Sequence, residues 1–410
     1  MPVIPSESKQ TEIRPDTNPA PSLVSKLKRW YVVLALGFFN AILLLVLINL
    51  GLYVILRFRH RPPTEPALNF TQHFDLKKLQ AAYPGWREDD VNALLKETPR
   101  EDREFEYEPW TGFRERSFRG RFVNIDPAGF RFSKDQMPWP PRPGQTNIFV
   151  FGGSTAFGWY LPDDETIASY LQQCASQQKV AVYNFARPAY FSSQELALFQ
   201  KLLRDGRVPQ VAVFIDGLND FILSEGVPKF TTELRQFMDG KAESNPLDNL
   251  PMVRAAQWLQ YRLGKAPAEP EESAPDYRDP VVLNAVVERW LANKKMIEAL
   301  AAAYGVRAIF VWQPIPLYKY DLRYHFFLHN DKAFGGFIRT EYGYPLMANL
   351  QNEGKLGSDV LWLADMQQDK RENLYVDSVH YTAAFSKEIA GKICEFMQSG
   401  APGSLPSFGR

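Results

Sequence analysis

Ser154 in FGGSTAFG, Asn219 in DGLND, and Asp377 and His380 in YVDSVHYT are residue types that acyl transfer needs. A serine hydroxyl is a weak nucleophile until a base takes its proton. The chain has only five histidines, His60, His73, His325, His329 and His380, so a histidine base must be one of these. His380 is the candidate base, and Asp377 is the group that would fix its tautomer and stabilise the imidazolium. The oxyanion of a tetrahedral intermediate needs preorganised donors, and losing one typically costs roughly 10²–10³ in rate. The candidate donors are the backbone N–H of Ser154, the backbone N–H of Ala189 in YNFARPA and the side-chain amide of Asn219.

Each motif alone has a plainer reading. GGS is a common tight turn, GLND a turn with an Asx bond, and Asp-x-x-His a helix start with a satisfied histidine. What gives the set weight is the elements around it. From Asn147 short apolar runs alternate with helical segments: NIFVF (147–151), VAVYNF (180–185), VAVFID (211–216), VRAIFVW (306–312) and DVLWLAD (359–365). Runs this short and continuous suit strands buried on both faces. Helices are expected at about 165–178, 192–205, 281–304 and 383–397, with Ser192 and Glu195 as a capping box. Alternating strand and helix argues for a parallel α/β sheet covered on both faces. Ligands of such sheets sit beyond the carboxyl ends of strands, and the four polar motifs fall there.

In order and content the motifs resemble the blocks of the SGNH/GDSL hydrolases: GGS (152–154), the NFARPA segment (184–189), GLND (217–220) and DSVH (377–380). The resemblance covers roughly residues 145–398. It implies a three-layer αβα sandwich with a parallel sheet, Ser154 as nucleophile, Asn219 as oxyanion donor, and Asp377 and His380 as triad partners. Two positions depart from the family pattern. Gly153 stands where the family usually has Asp, which frees the turn and removes a brace. Ala189 stands where the family has its oxyanion glycine, and its N–H serves only if alanine adopts the required φ/ψ.

One transmembrane helix is expected to precede this domain. From Trp30 to Leu56 the chain has no charged residue over 27 positions, where about 20 suffice to span. No small-x-small cleavage site follows it, so the segment reads as an uncleaved anchor. Asn40 and Asn49 are its strongly polar side chains and suit helix pairing. Lys26, Lys28 and Arg29 before it balance Arg57, Arg59 and Arg61 after it, and Arg14 tips the count slightly to N-terminus inside. Residues 1–29 read as a disordered polar tail, 57–144 as a membrane-proximal linker and extended region, 225–280 as an excursion over the sheet, and 399–410 as a tail.

Lys plus Arg and Asp plus Glu are 47 each, a balance that argues against nucleic-acid binding. No cofactor or metal is called for. His325 and His329 could share a helical face, but no further ligand stands beside them, and a structural role is favoured. FGGSTAFG lacks the Gly-Lys-Ser/Thr ending of a phosphate loop. Cys174 and Cys394 fall on the first and last helices of the domain. A disulfide between them is one reading, and two buried free thiols the favoured one. Residues 312–344 hold ten aromatics in 33 positions and suit either a substrate-contacting lid or, the favoured reading, a secondary core.

The leading expectation is a membrane-anchored serine esterase or O-acyltransferase acting on acyl esters, with O-acetyl groups of envelope polysaccharide as the substrate that the resemblance suggests. The domain is then extracytoplasmic, on the periplasmic side. A catalytically weak or inactive binding or assembly module of the cell envelope is the alternative, and a lipid-directed esterase a third reading.

Overall fold

Side chains alternate between two opposite faces along every strand of the central sheet, and the residues differ by face. The structure, a computed structural model, describes residues 23–58, 80–98, 105–142, 144–174, 180–231, 250–262, 275–328 and 335–399. The expected tail at 1–29 is described only from residue 23, and the linker prolines, His60, His73, His329 and nearly all of 399–410 lie outside the described residues.

The strands are β5 (Thr146–Gly152), β6 (Val180–Asn184), β7 (Val211–Asp216), β8 (Arg307–Trp312) and β9 (Val360–Trp362), after the short strands β1 (Phe105–Glu108), β2 (Gly112–Glu115), β3 (Phe118–Arg119) and β4 (Asn124–Ile125). The helices are α1 (Leu23–Phe58), α2 (Glu88–Glu97), α3 (Ser154–Phe157), α4 (Ile167–Cys174), α5 (Ser192–Arg204), α6 (Leu218–Ile222), α7 (Pro251–Arg262), α8 (Pro280–Tyr304), α9 (Arg339–Asn352) and α10 (Ala383–Gln398).

The sheet runs β6-β5-β7-β8-β9, all parallel. This is a three-layer αβα sandwich, the architecture of the SGNH fold. Phe149, Phe151, Tyr183, Phe214, Phe310 and Trp312 point to one face, where α5 and α8 cover them. Ile148, Val150, Val182, Val213, Ile309 and Val311 point to the other, under α4 and α10. β5 pairs with both β6 and β7, so the chain leaves it in one direction and returns on the other side. That switch opens a crevice at the carboxyl ends of β5 and β7.

Segments 105–108 and 112–115 form an antiparallel hairpin. Arg131 continues the edge by donating its N–H to Asn184 O at 2.8 Å. Residues 66–243 and 269–410 make one compact unit.

The expected capping box does not form. Phe191 is the N-cap of α5 and Ser192 its first residue. Ser192 Oγ donates instead to Asp220 Oδ1 at 2.6 Å, and Glu195 is buried. α9 had no sequence signal. It contains Pro345 and Gly343, yet Tyr344 and Met347 are fully buried in it. A Cβ on Gly343 would strike the Phe221 ring, so close packing rather than helix propensity fixes this helix. Trp312, Tyr318, Tyr320 and Tyr344 of the aromatic stretch are buried core residues.

The other unit comprises 1–65 and 244–268. Its helix α1 is 36 residues, long and apolar enough to cross a membrane. Asn49 Oδ1 accepts from Met252 N–H, an orphan donor in the first turn of α7, at 3.1 Å. The pairing role suggested for Asn49 is therefore taken by α7.

Cys174 and Cys394 are joined by a disulfide, against the favoured expectation of free thiols. The helices that carry them, α4 and α10, pack on the same face, which puts the two Cα atoms 6.7 Å apart. The bridge closes a separation of 220 residues, so it removes much freedom from the unfolded chain. Replacing both cysteines by serine should lower unfolding free energy by about 2–4 kcal/mol. Urea denaturation of the two proteins measures this, and equal midpoints would show that the bridge contributes nothing.

Candidate active site

Ser154 is the first residue of α3, directly beyond β5, so its N–H belongs to the unpaired donors of a helix start. Its Oγ lies 2.8 Å from His380 Nε2. His380 Nδ1 lies 2.6 Å from Asp377 Oδ2, and Asp377 Oδ1 accepts from the N–H groups of Val379 at 2.8 Å and His380 at 2.7 Å. Nδ1 beside a carboxylate carries the proton, and Nε2 is left to accept from the serine. Burial alone would raise the Asp377 carboxyl. The His380 ring and the two backbone N–H groups outweigh it and hold the group below the usual carboxylate range. Trp159 stacks on the imidazole with ring centres 6.0 Å apart, and Tyr160 meets it edge-on at 5.8 Å. Only 13% of the His380 side chain is exposed.

Ala189 takes φ +58°, the left-handed conformation that its position requires of a non-glycine residue. Arg187, 1% exposed, holds the turn. Its Nη1 donates to Glu108, to Tyr190 Oη at 2.8 Å and to Phe113 O at 3.4 Å. Gln194 Nε2 donates to Thr111 O at 2.6 Å, so the β1–β2 hairpin grips the chain on both sides of Ala189. Asn219 Nδ2 donates one hydrogen to Tyr190 O at 2.6 Å, and its other hydrogen has no partner among the described residues. A Cβ on Gly153 would strike that amide nitrogen. The departure at Gly153 therefore makes room for Asn219 beside Ser154. The N–H groups of Ser154 and Ala189 also have no acceptor among the described residues.

Ser154, Asp377, His380, Ala189 and Asn219 thus meet at one rim of the sheet. Asn184 does not join them. Its Nδ2 donates to Ala156 O at 3.2 Å and its Oδ1 accepts from Ala186 N at 3.1 Å, so it braces the turn from within. His325 is buried, stacked on Tyr375 at 5.0 Å, and accepts from Phe327 N through Nδ1.

Gln313 lies in none of the four sequence motifs. Its Oε1 accepts from Thr155 Oγ1 at 2.6 Å and Tyr381 Oη at 2.9 Å, the residues next to Ser154 and His380. It follows β8 directly, so the rule that located the other four motifs would have found it.

No protein-family model and no curated protein matches the chain. Solved structures similar to it include a member of the lipolytic protein G-D-S-L family from Veillonella parvula, at 14% identity over 61% of this chain and 96% of that one, with TM-score 0.32. The carbohydrate acetylesterase Est24 from Sinorhizobium meliloti is similar at 10% identity over 62% and 99%, with TM-score 0.35. The psychrotrophic esterase EstA from Pseudoalteromonas sp. is similar at 10% over 62% and 98%, with TM-score 0.31. What this site can do rests on its own geometry.

Glu108 gives that geometry a pH signature. Burial pushes its carboxyl up, but Arg187 and Lys201 pull it down to about 2. Glu115, buried on the same hairpin, is pushed up to about 7 by its burial, so Glu108 is the carboxylate that answers Arg187. A carboxylate with a lowered folded pKa stabilises the fold above its unfolded value, near 4.5, and that contribution is lost as pH falls toward 2. Unfolding free energy of the wild type should therefore drop more steeply between pH 5 and about 2.5 than that of Glu108→Gln. Denaturant melts across that range decide it, and parallel curves would remove the ion pair from the account.

Proposed function

We propose that this chain is a serine esterase or O-acyltransferase of the SGNH type. The observation that carries the reading is the continuous relay from Ser154 Oγ to His380 Nε2 at 2.8 Å and from Nδ1 to Asp377 at 2.6 Å. Ser154 Oγ attacks the acyl carbon while its proton passes to His380 Nε2, and Asp377 stabilises the imidazolium. The oxyanion accepts from the N–H groups of Ser154 and Ala189 and from the unused N–H of Asn219. Collapse breaks the ester bond, the departing alcohol takes the proton from His380, and the acyl group stays on Ser154. Water or a sugar hydroxyl then attacks the acyl-enzyme with His380 again as base, releasing acid or a new ester.

α1 is the proposed membrane anchor and the α/β unit the extracytoplasmic, periplasmic part. Length and hydropathy of α1 support the first, and the Cys174–Cys394 bridge supports the second, because disulfides persist in oxidising compartments. O-acetyl groups of envelope polysaccharide are the proposed substrate.

A fluorophosphonate probe should label the wild type and leave Ser154→Ala unlabelled. Asn219→Ala should still fold but hydrolyse a short acyl ester roughly 10²–10³-fold more slowly. A folded wild type that takes no label would overturn the enzyme and favour the binding or assembly module. Acetate release from O-acetylated polysaccharide tests the substrate, and a steep rise of activity with acyl length would favour lipid esters.

A further inference from the structure

Glu195, Asp216 and Asp220 are buried together beside the proposed oxyanion donors, at 1%, 3% and 1% exposure. Asp216 ends β7 and Asp220 lies on α6, so the two flank Asn219. Glu195 lies in the first turn of α5, just after the Ala189 turn.

Donors for these six oxygens are few. Asp220 Oδ1 accepts from Ser192 Oγ, which in turn accepts from Asn293 Nδ2 at 2.9 Å. Asp216 Oδ2 accepts from Trp290 Nε1 at 3.1 Å. Asp216 Oδ1, Asp220 Oδ2 and both oxygens of Glu195 meet no donor among the described residues. Glu195 and Asp216 are within hydrogen-bonding reach of one another. The charged and titratable groups facing the cluster are Arg289 of α8, whose Nη2 donates to Asp220 O at 2.9 Å, Arg339 of α9, whose Nη1 donates to Phe221 O at 3.4 Å, and the Tyr344 phenol of α9. Neither guanidinium donates to a carboxylate of the cluster. Two buried carboxylates in contact cannot both be ionised without such compensation.

We infer that Glu195 and Asp216 retain a shared proton at neutral pH, and that the resulting carboxyl–carboxyl hydrogen bond is a positioning device which sets the Ala189 donor against the Asn219 donor. The bond ties the start of α5 to the end of β7, and each of these elements adjoins one of the two donors. The positioning role rests on the proposed acyl-transfer reading, and the shared proton does not. Burial first, and neighbouring carboxyl charge second, push both groups up, Asp216 to about 8. An acid whose folded pKa is raised stabilises the fold below its unfolded value, and that contribution is lost as pH rises through the folded one.

The test compares the full-length wild type with Glu195→Gln/Asp216→Asn, and with Glu195→Gln alone should the double variant fail to fold. The wild-type infrared spectrum at pH 7 should contain a protonated-carboxyl carbonyl stretch that the variant lacks. The wild-type fluorophosphonate labelling rate, normalised to its own value at pH 6, should fall reversibly above about pH 8, by up to roughly tenfold per pH unit as for a single ionisation. The variant's alkaline fall should vanish or move up in pH. Identical infrared spectra overturn the shared proton. Identical alkaline profiles overturn the positioning role. No labelling at any pH, with the infrared difference present, overturns the enzymatic reading and the positioning role with it, while the shared proton stands.

Discussion

The contact between Ser154 Oγ and His380 Nε2 joins residues 226 positions apart, and its length is set from both ends. On the serine side the strand β5 is pinned between β6 and β7, which leaves the Gly153–Ser154 turn little freedom. On the histidine side Val376 N donates to His380 O and Tyr375 bridges to Tyr381, so the loop carrying Asp377 and His380 is a closed unit before α10 begins. Gln313 connects the two sides through Thr155 and Tyr381. A general base must lie within about 2.6–3.2 Å of the proton it takes, so small shifts at either end would break the relay.

Gly153 and Ala189 depart from the family pattern at adjacent places, and the structure answers each differently. Without a side chain at 153 the Asn219 amide moves into the space a Cβ would fill and hydrogen-bonds Tyr190 O. The amide thereby becomes its own brace. Ala189 keeps the left-handed conformation without being glycine, which costs roughly 1 kcal/mol against an ordinary backbone. The Arg187–Glu108 pair and the Gln194–Thr111 bond hold it there. The hairpin of residues 105–115 is thus part of the rim's support, although nothing in its sequence marks it as such.

Sequence periodicity located all five strands of the sheet to within one residue at four of them, because buried parallel strands are short apolar runs and few other elements are. The relay was legible for a related reason, since GGS and GLND directly follow such runs and DSVH lies between the last run and the last helix. α9 was not legible, because tertiary packing around Tyr344 overrides Gly343 and Pro345. The Ser192–Glu195 pattern suggests a capping box that does not form, because a local pattern cannot show that Asp220, distant in sequence, competes for the serine. The disulfide depended on which face α4 and α10 share, and that is a property of topology rather than of either helix.

The buried acids bear on electrostatics as well as position. In the proposed reaction the N–H groups of the rim receive a developing negative charge, yet Asp216 ends β7 and Asp220 follows Asn219 on α6. An ionised carboxylate about 10 Å from the oxyanion, at an effective dielectric of about 20, would oppose that charge by roughly 1.7 kcal/mol. That is more than tenfold in rate, about two fifths of the roughly 4 kcal/mol that removing a donor costs at most. A proton shared by Glu195 and Asp216 lowers the charge of the pair from two to one and so reduces this penalty without removing polar groups from the core. Asp220 differs, since Ser192 donates to its Oδ1 through both Oγ and N–H and Arg289 lies against its carbonyl, so part of any charge there is already answered. On the inferred shared proton, the cluster places its least compensated acids together and its best compensated one next to Asn219.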